Sequence, residues 1–316
     1  MSDRTIVAPP PVLARRRRVA RVGVARRPRV RRVGLWLGVV GVVLLVWEGG
    51  KALFGVPWRF PNALGLGVDV YWNPPFRIAF FNDLNLPHVW NIANAFIQPW
   101  QRGQDLTLAQ YLAGAAFYTW REAAVGFAIG TLLGLVLATA FVHSRLLERA
   151  LVPYVVASQT VPIIALAPMI IYAFGQNVVS VAVISTYLTF FPVTIAMLRG
   201  LRSFDPRALE LMRSYAASRW AIFWKLRLPA SLPYLFTALK IAATASIVGA
   251  IIGEAPSGIP NGLGRVIVTF NNYYVTGPEK LWAAIVATAI LGIVFFGLVR
   301  VVELWVLRGR PGAAEG

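Results

Sequence analysis

The sequence predicts an all-α, polytopic membrane protein with about six transmembrane helices, and three observations carry that reading. First, only 14% of the 316 residues are charged while 57% are hydrophobic, and mean hydropathy is +0.62. Soluble domains carry about 25% charged residues. Second, several apolar runs approach the ~20 residues that a bilayer-spanning helix needs. Third, the net charge of +18 is concentrated in both termini and in the connections 143–149 and 199–231. Basic connections mark the cytoplasmic side, so this pattern places both ends there and the other loops outside. Cysteine is absent, which excludes disulfides, thiolate catalysis and cysteine-bound metal. With His88 and His143 the sole histidines, a histidine metal site is not expected either.

Residues 1–32 form an arginine-rich arm, including Arg15–Arg18, Arg26, Arg27, Arg29, Arg31 and Arg32. Its composition predicts a disordered cytoplasmic arm touching anionic membrane lipid. A nucleic-acid arm is the alternative, weighed lower because an apolar span, 33–54, follows at once. No small-x-small cleavage site follows that span, so it reads as a retained first helix rather than a signal peptide. Residues 55–105 are irregular, with Trp58, Trp72, Trp90 and Trp100 among many prolines. Aromatic residues at a membrane interface are the default there, and stacking on a planar solute is the sharper alternative.

A helix is expected from Leu106-Thr107, lying partly at the interface through Arg121 and Glu122 and spanning from about Ala123 to Val142. Its Gly126, Gly130 and Gly134 fall on one face, a pattern that lets backbones approach closely. The third span, about Leu151 to Phe174, contains Pro153, Pro162 and Pro168 beside Ser158-Gln159-Thr160. Prolines free backbone carbonyls, tolerated in a membrane where protein or a water-filled cavity covers them. Gln159 and Thr160 are therefore candidates for the translocation pathway, with interhelical hydrogen bonding as the alternative. Ser185 and Thr189 in the fourth span, to about Leu198, and Thr244 and Ser246 in the fifth, about Leu232 to Ile252, complete the pathway candidates. Lys240 is expected to snorkel. A last span covers about Leu281 to Leu307, and 308–316 is a cytoplasmic tail.

The stretch 205–233 is too polar to span and too patterned for a slack loop. Asp205-Pro206 is a helix-start signal. Leu209, Met212, Ala216, Trp220 and Phe223 then recur at helical spacing, and Pro229 and Pro233 are expected to restart the chain as a new helix. This stretch resembles the EAA loop of the permease subunits of binding-protein-dependent ABC importers, whose pattern is E-A-A, three residues, G, nine residues, I-x-L-P. Glu210 matches the acid, Leu226 the isoleucine, and Leu228–Pro229 the close; Leu211 and Met212 replace the alanines and Ala216 the glycine. The resemblance covers roughly 33–65 and 106–307 and is nearest to the nitrate/sulfonate-type permeases.

The resemblance implies an inner-membrane permease, two copies enclosing a path, worked by ABC ATPase subunits and fed by an extracytoplasmic solute-binding protein. It implies that Glu210, Arg213, Tyr215, Ala216, Ser218, Arg219, Trp220, Leu228 and Pro229 form the contact with the ATPase, Glu210 capping or bracing the helix start. The stretch from Gly253 to Trp282 is similar to a subgroup linked with vitamins and heterocyclic precursors. Riboflavin is the first expectation, a pyrimidine precursor the second, and sulfonate, taurine or nitrate the alternative.

The chain carries no GxxxxGK[ST] loop, no HExxH and no nucleophile triad, so it is not expected to be an enzyme or to bind a cofactor, and ATP is used by the partner. Glu48, Glu122 and Glu254 lie near expected span ends. That argues against an ion-coupled carrier, which needs ionisable groups at mid-depth.

Overall fold

The computed structural model describes residues 29–63 and 68–308. Most of the basic arm and the end of the tail lie outside the described residues. Of the described residues, those up to Gly50 form one unit and those from Lys51 onward a second. Helix α1 (Arg29–Phe54) supplies the first unit and begins a few residues before the expected span. The second unit comprises a two-stranded hairpin and helices α2 (Val89–Ile97), α3 (Leu108–His143), α4 (Arg145–Ser158), α5 (Ile163–Phe174), α6 (Val178–Gly200), α7 (Pro206–Ser214), α8 (Arg219–Ile222), α9 (Leu228–Ser257), α10 (Leu263–Asn272) and α11 (Pro278–Val306).

By length and composition 5 helices can cross a membrane, or up to 6 if α4 and α5, bent by 99°, form one broken span. The expected third span is therefore not a straight helix. The chain leaves helical geometry at Thr160–Val161, immediately before Pro162, because proline disfavours the α conformation in the residue ahead of it.

The core of the second unit is α6 packed between α3 and α9. A Cβ on Gly126 would lie 2.2 Å from Ser185 Cβ, on Gly130 2.7 Å from Thr189 Cβ, and on Gly134 2.8 Å from Val193 Cβ. The glycine face read from the sequence is thus the α3–α6 seam. On the other side of α6, a Cβ on Gly249 would sit 2.7 Å from Ser185 Cα. Small residues on both flanks allow close van der Waals approach where lipid provides no hydrophobic drive between helices. The outward faces of α3 and α11 are apolar and exposed, as at Leu132 and Val136 on α3 and Ile290 and Ile293 on α11.

A full capping box starts α3: Gln110 N–H donates to Thr107 Oγ1 at 3.3 Å and Thr107 N–H to Gln110 Oε1 at 3.1 Å. The hairpin, β1 (Trp58–Ala63) with β2 (Val68–Trp72), lies in the segment that read as irregular. There Lys51, fully buried, donates to Asp83 Oδ1 and to the Leu86 carbonyl, both at 2.5 Å. Three tryptophans of this segment are used in ring packing, while Trp72 is half exposed. Trp58 meets His88 edge-on at 4.6 Å, Trp90 stacks on His88 at 4.0 Å, and Trp100 stacks on Tyr111 at 4.4 Å.

One residue gains a partner and one expectation is corrected. The Lys240 ammonium donates to both oxygens of Glu303 on α11, at 3.1 and 2.8 Å. Pro229 and Pro233 do not interrupt the chain, which runs helically from Arg219 to Ser257. Pro229 follows directly on a π turn (Phe223–Arg227), a local widening of the helix that accommodates a residue without an N–H inside the continuous run.

Candidate functional site

The segment joining α6 to α9 is set by local rules. Asp205 Oδ1 accepts the Arg207 N–H at 2.9 Å and Pro206 occupies the first turn, so α7 begins where the sequence predicted. The helix ends in a Schellman motif: Ala217 N–H donates to Met212 O at 3.0 Å and Ala216 N–H to Arg213 O at 2.9 Å. That motif needs a left-handed residue, and Ala216, at φ 51°, is the sole non-glycine with positive φ among the described residues. It occupies the glycine position of the EAA pattern, and the geometry supplies the reason for glycine there. The chain restarts at α8, where Ser218 Oγ accepts the Ala221 N–H at 3.2 Å.

The continuous helical pattern read from Asp205 to Phe223 is therefore two helices separated by the turn at 215–218. Glu210 is exposed on α7 and takes no part in capping, which belongs to Asp205. Arg213, Tyr215, Ala216, Ser218, Arg219 and Trp220 are all exposed, Tyr215 by 79% and Trp220 by 64%. Leu228 and Pro229 are instead half-buried where α9 begins, Leu228 packing on the cluster around Phe223. Trp220 is held in place by stacking on Phe223 at 5.8 Å, and buried Phe223 leans on His143 at 5.3 Å. The knob is tied to α4 by Arg202, which donates to both oxygens of Glu148 at 2.8 and 2.6 Å. That bond holds the Arg202 guanidinium above its ordinary range. Beyond a basic turn at 143–149, nothing in the sequence pointed to this pair.

The pathway candidates separate. Ser185, Thr189 and Ser246 are fully buried in the α3–α6–α9 packing. Ser185 Oγ donates to Ser246 O at 3.1 Å, Thr189 Oγ1 to Ser185 O at 2.8 Å and Ser246 Oγ to Ala243 O at 2.9 Å. Their hydroxyls serve interhelical and intrahelical bonding inside one chain. Thr244, partly exposed on α9, donates to Ile241 O at 2.9 Å. Gln159 and Thr160 lie at the α4–α5 break, Thr160 exposed and donating to Ala157 O at 2.7 Å. Gln159 Nε2 is buried without a hydrogen-bond partner. Tyr187 on α6 donates to the neighbouring Ser158 carbonyl.

At the opposite end of the bundle, α10 begins at Gly262, which has no side chain with which to cap it. Residues from two other helices take that role. Thr119 Oγ1 on α3 accepts the Leu263 N–H at 2.8 Å, and Glu254 Oε2 on α9 accepts the Gly264 N–H at 2.7 Å. Gly262 adopts φ 114°, and a Cβ there would lie 2.5 Å from Glu254 Cδ. Glu122 is 2% exposed and faces Glu254 and Tyr118, so it is not the interfacial residue expected. The same end holds a cavity of about 620 Å³ lined by Trp100, Arg102, Phe270, Tyr273 and Lys280. Lys280 Nζ donates to Trp100 O at 2.9 Å. Tyr274, outside the cavity lining, donates to Leu84 O.

A bundle of apolar spans with an exposed cationic and aromatic knob at one end and an aromatic cavity at the other is the architecture of a multi-pass membrane protein. The chain belongs to the family of binding-protein-dependent transport system inner membrane components, which it matches over residues 130–308. It is 32% identical over 233 residues to the formylaminopyrimidine transport permease protein ThiX of Halalkalibacterium halodurans, covering 70% of this chain and 90% of that one. It is 28% identical over 251 residues to the riboflavin transport system permease protein RibX of Chloroflexus aurantiacus, covering 78% and 90% respectively. A crystal structure of an amino acid ABC transporter shares the fold at 16% identity and TM-score 0.50, covering 62% of this chain and 94% of that one. The chain is thus an inner-membrane, multi-pass permease subunit of an ABC importer.

Proposed function

We propose that two copies of this permease form the path of an importer for a small nitrogen heterocycle, a pyrimidine vitamin precursor ahead of riboflavin. The observation that carries the coupling half of this reading is the knob of Arg213, Tyr215, Arg219 and Trp220, exposed yet rigidly founded on Phe223 and on the Schellman turn. A separate ATPase subunit receives that knob in a surface cleft, and ATP-driven closure moves it. An extracytoplasmic binding protein delivers solute to the opposite end. The substrate class is supported by the names of the relatives and by Trp100, Phe270 and Tyr273 around the outer cavity, which suit a flat ring. The pyrimidine now precedes riboflavin because identity to the pyrimidine permease is 32% against 28%.

The test is reconstitution of the chain with its ATPase and binding protein in proteoliposomes, measuring ATP-dependent uptake of labelled formylaminopyrimidine, riboflavin and taurine. Uptake of the pyrimidine, abolished by Arg219→Glu while the assembly still hydrolyses ATP, is the expected result. Preference for taurine would overturn the substrate class. Because the chain contains no cysteine, a cysteine placed at Arg213 or Trp220 also reports sidedness; labelling from outside would overturn the coupling reading.

A further inference from the structure

At the knob end, the ends of α3 and α4, the α6–α7 turn and the π turn enclose a second cavity, of about 700 Å³. Its lining carries four guanidiniums, Arg145, Arg149, Arg202 and Arg227, and one carboxylate, Glu148. That carboxylate is already occupied by the Arg202 fork. Arg145, Arg149 and Arg227 form no ion pair among the described residues. Arg227 is half-buried, its guanidinium 5.1 Å from the Phe204 ring centre, and the charges acting on it are those of Arg202 and Arg213. A partly desolvated cation among like charges is costly unless an anion completes it. Arginine forks match the geometry of phosphate oxygens.

Beside this cationic cup, α4 exposes apolar side chains: Leu146 by 78%, Tyr154 by 74%, and Leu147 and Leu151 by about half as much. A basic recess roomy enough for a phospholipid headgroup, adjoining an exposed apolar helix face at the ends of membrane-spanning helices, is complementary to an amphiphile. Neither free phosphate nor an acidic protein loop would use the apolar half.

We propose that this cavity binds the phosphate headgroup of an anionic phospholipid, with the acyl chains lying along the apolar face of α4. The headgroup would neutralise Arg227 at the root of α9 and Arg149 on α4, bracing the joint that carries the knob. The site rests on the proposed function only for which leaflet supplies the lipid.

The test uses the full chain in nanodiscs, with a bimane on Leu146→Cys and quenching by spin-labelled phosphatidylglycerol or phosphatidylcholine. The expected result is a phosphatidylglycerol preference of at least about ten-fold, each arginine contributing about five-fold. In the triple variant Arg145→Gln/Arg149→Gln/Arg227→Gln the preference falls close to unity. The double variant Arg145→Gln/Arg149→Gln, altering exposed positions alone, falls part of the way and guards against misfolding of the triple. Arg102→Gln, at the opposite end, leaves it unchanged. Equal quenching by the two lipids, or a preference that survives the triple substitution, overturns the proposal, the second outcome assigning it to the N-terminal arm. Displacement of the bimane signal by inorganic phosphate without any lipid preference makes the cavity a free-anion site and also overturns it. Loss of ATPase co-purification in the triple variant, with no lipid preference in the parent, assigns the cavity to the ATPase contact and does the same. Failed transport with the preference intact counts against the importer reading and leaves the lipid site standing.

Discussion

Lys240 on α9 and Glu303 on α11 form a two-pronged ion pair, at 3.1 and 2.8 Å, with both side chains 18% exposed. Two charges at this depth are tolerated because each satisfies the other, and removing one strands its partner. Lys240→Met is therefore expected to lower stability by about 3–5 kcal/mol, whereas Lys240→Met/Glu303→Met recovers most of it. Thermal unfolding of detergent-purified protein checks this, and an unchanged midpoint in the single variant would contradict it.

Ala216 sustains a left-handed conformation for which an L-residue is penalised by roughly 1–2 kcal/mol. Ala216→Gly is expected to stabilise the knob by about 1 kcal/mol and preserve transport. Ala216→Val is expected to uncouple ATP hydrolysis from uptake, because a β-branched residue displaces the turn that orients Tyr215 and Trp220. The ratio of solute moved to ATP hydrolysed in proteoliposomes is the readout.

The α3–α6 seam has no room for a side chain at Gly126 or Gly130, whose added Cβ atoms would lie 2.2 and 2.7 Å from their neighbours. Gly130→Leu is expected to cost at least the ~1–3 kcal/mol typical of overpacking, and to shift the purified protein towards aggregates in size-exclusion chromatography. Gly114→Leu, at a position where an added Cβ meets nothing within 4 Å, is the matched control and should elute as the parent does.

Thr119→Val keeps the shape of the side chain and removes the acceptor for the buried Leu263 N–H. A loss of about 1–3 kcal/mol follows from the unsatisfied donor. The loss should be local: hydrogen exchange at Leu263 and the following residues of α10 is expected to accelerate while the α3–α6 seam stays protected.

The spans were legible in the sequence because a bilayer imposes length and apolarity on each segment separately. The glycine face of α3 was legible for a similar reason, since periodicity within one helix names the seam without naming its partner. What escaped were relationships between residues far apart in the chain. Lys240 and Glu303 are 63 positions apart, and Leu263 finds its cap in Thr119 144 positions away. Periodicity also misled at 205–223, where a continuous helical pattern conceals the reversal at Ala216. The hydroxyls of Ser185, Thr189 and Ser246 stood out as polar groups in apolar spans, yet a buried hydroxyl that bonds a backbone carbonyl has the same sequence signature as one lining a path. The four tryptophans between 58 and 100 read first as a membrane-interface belt and second as a surface for a planar solute, while the structure employs Trp58, Trp90 and Trp100 in ring packing within the second unit.

The uninterrupted run from Arg219 to Ser257, 39 residues, is about 58 Å of helix. One extremity carries Trp220, and near the other Glu254 grips the first turn of α10. In the importer proposed above, a displacement at Trp220 would reach the capped first turn of α10 along one continuous helix that has a π turn and no loop along its length. Movement at one extremity then needs no relay of intermediate parts to be felt at the other.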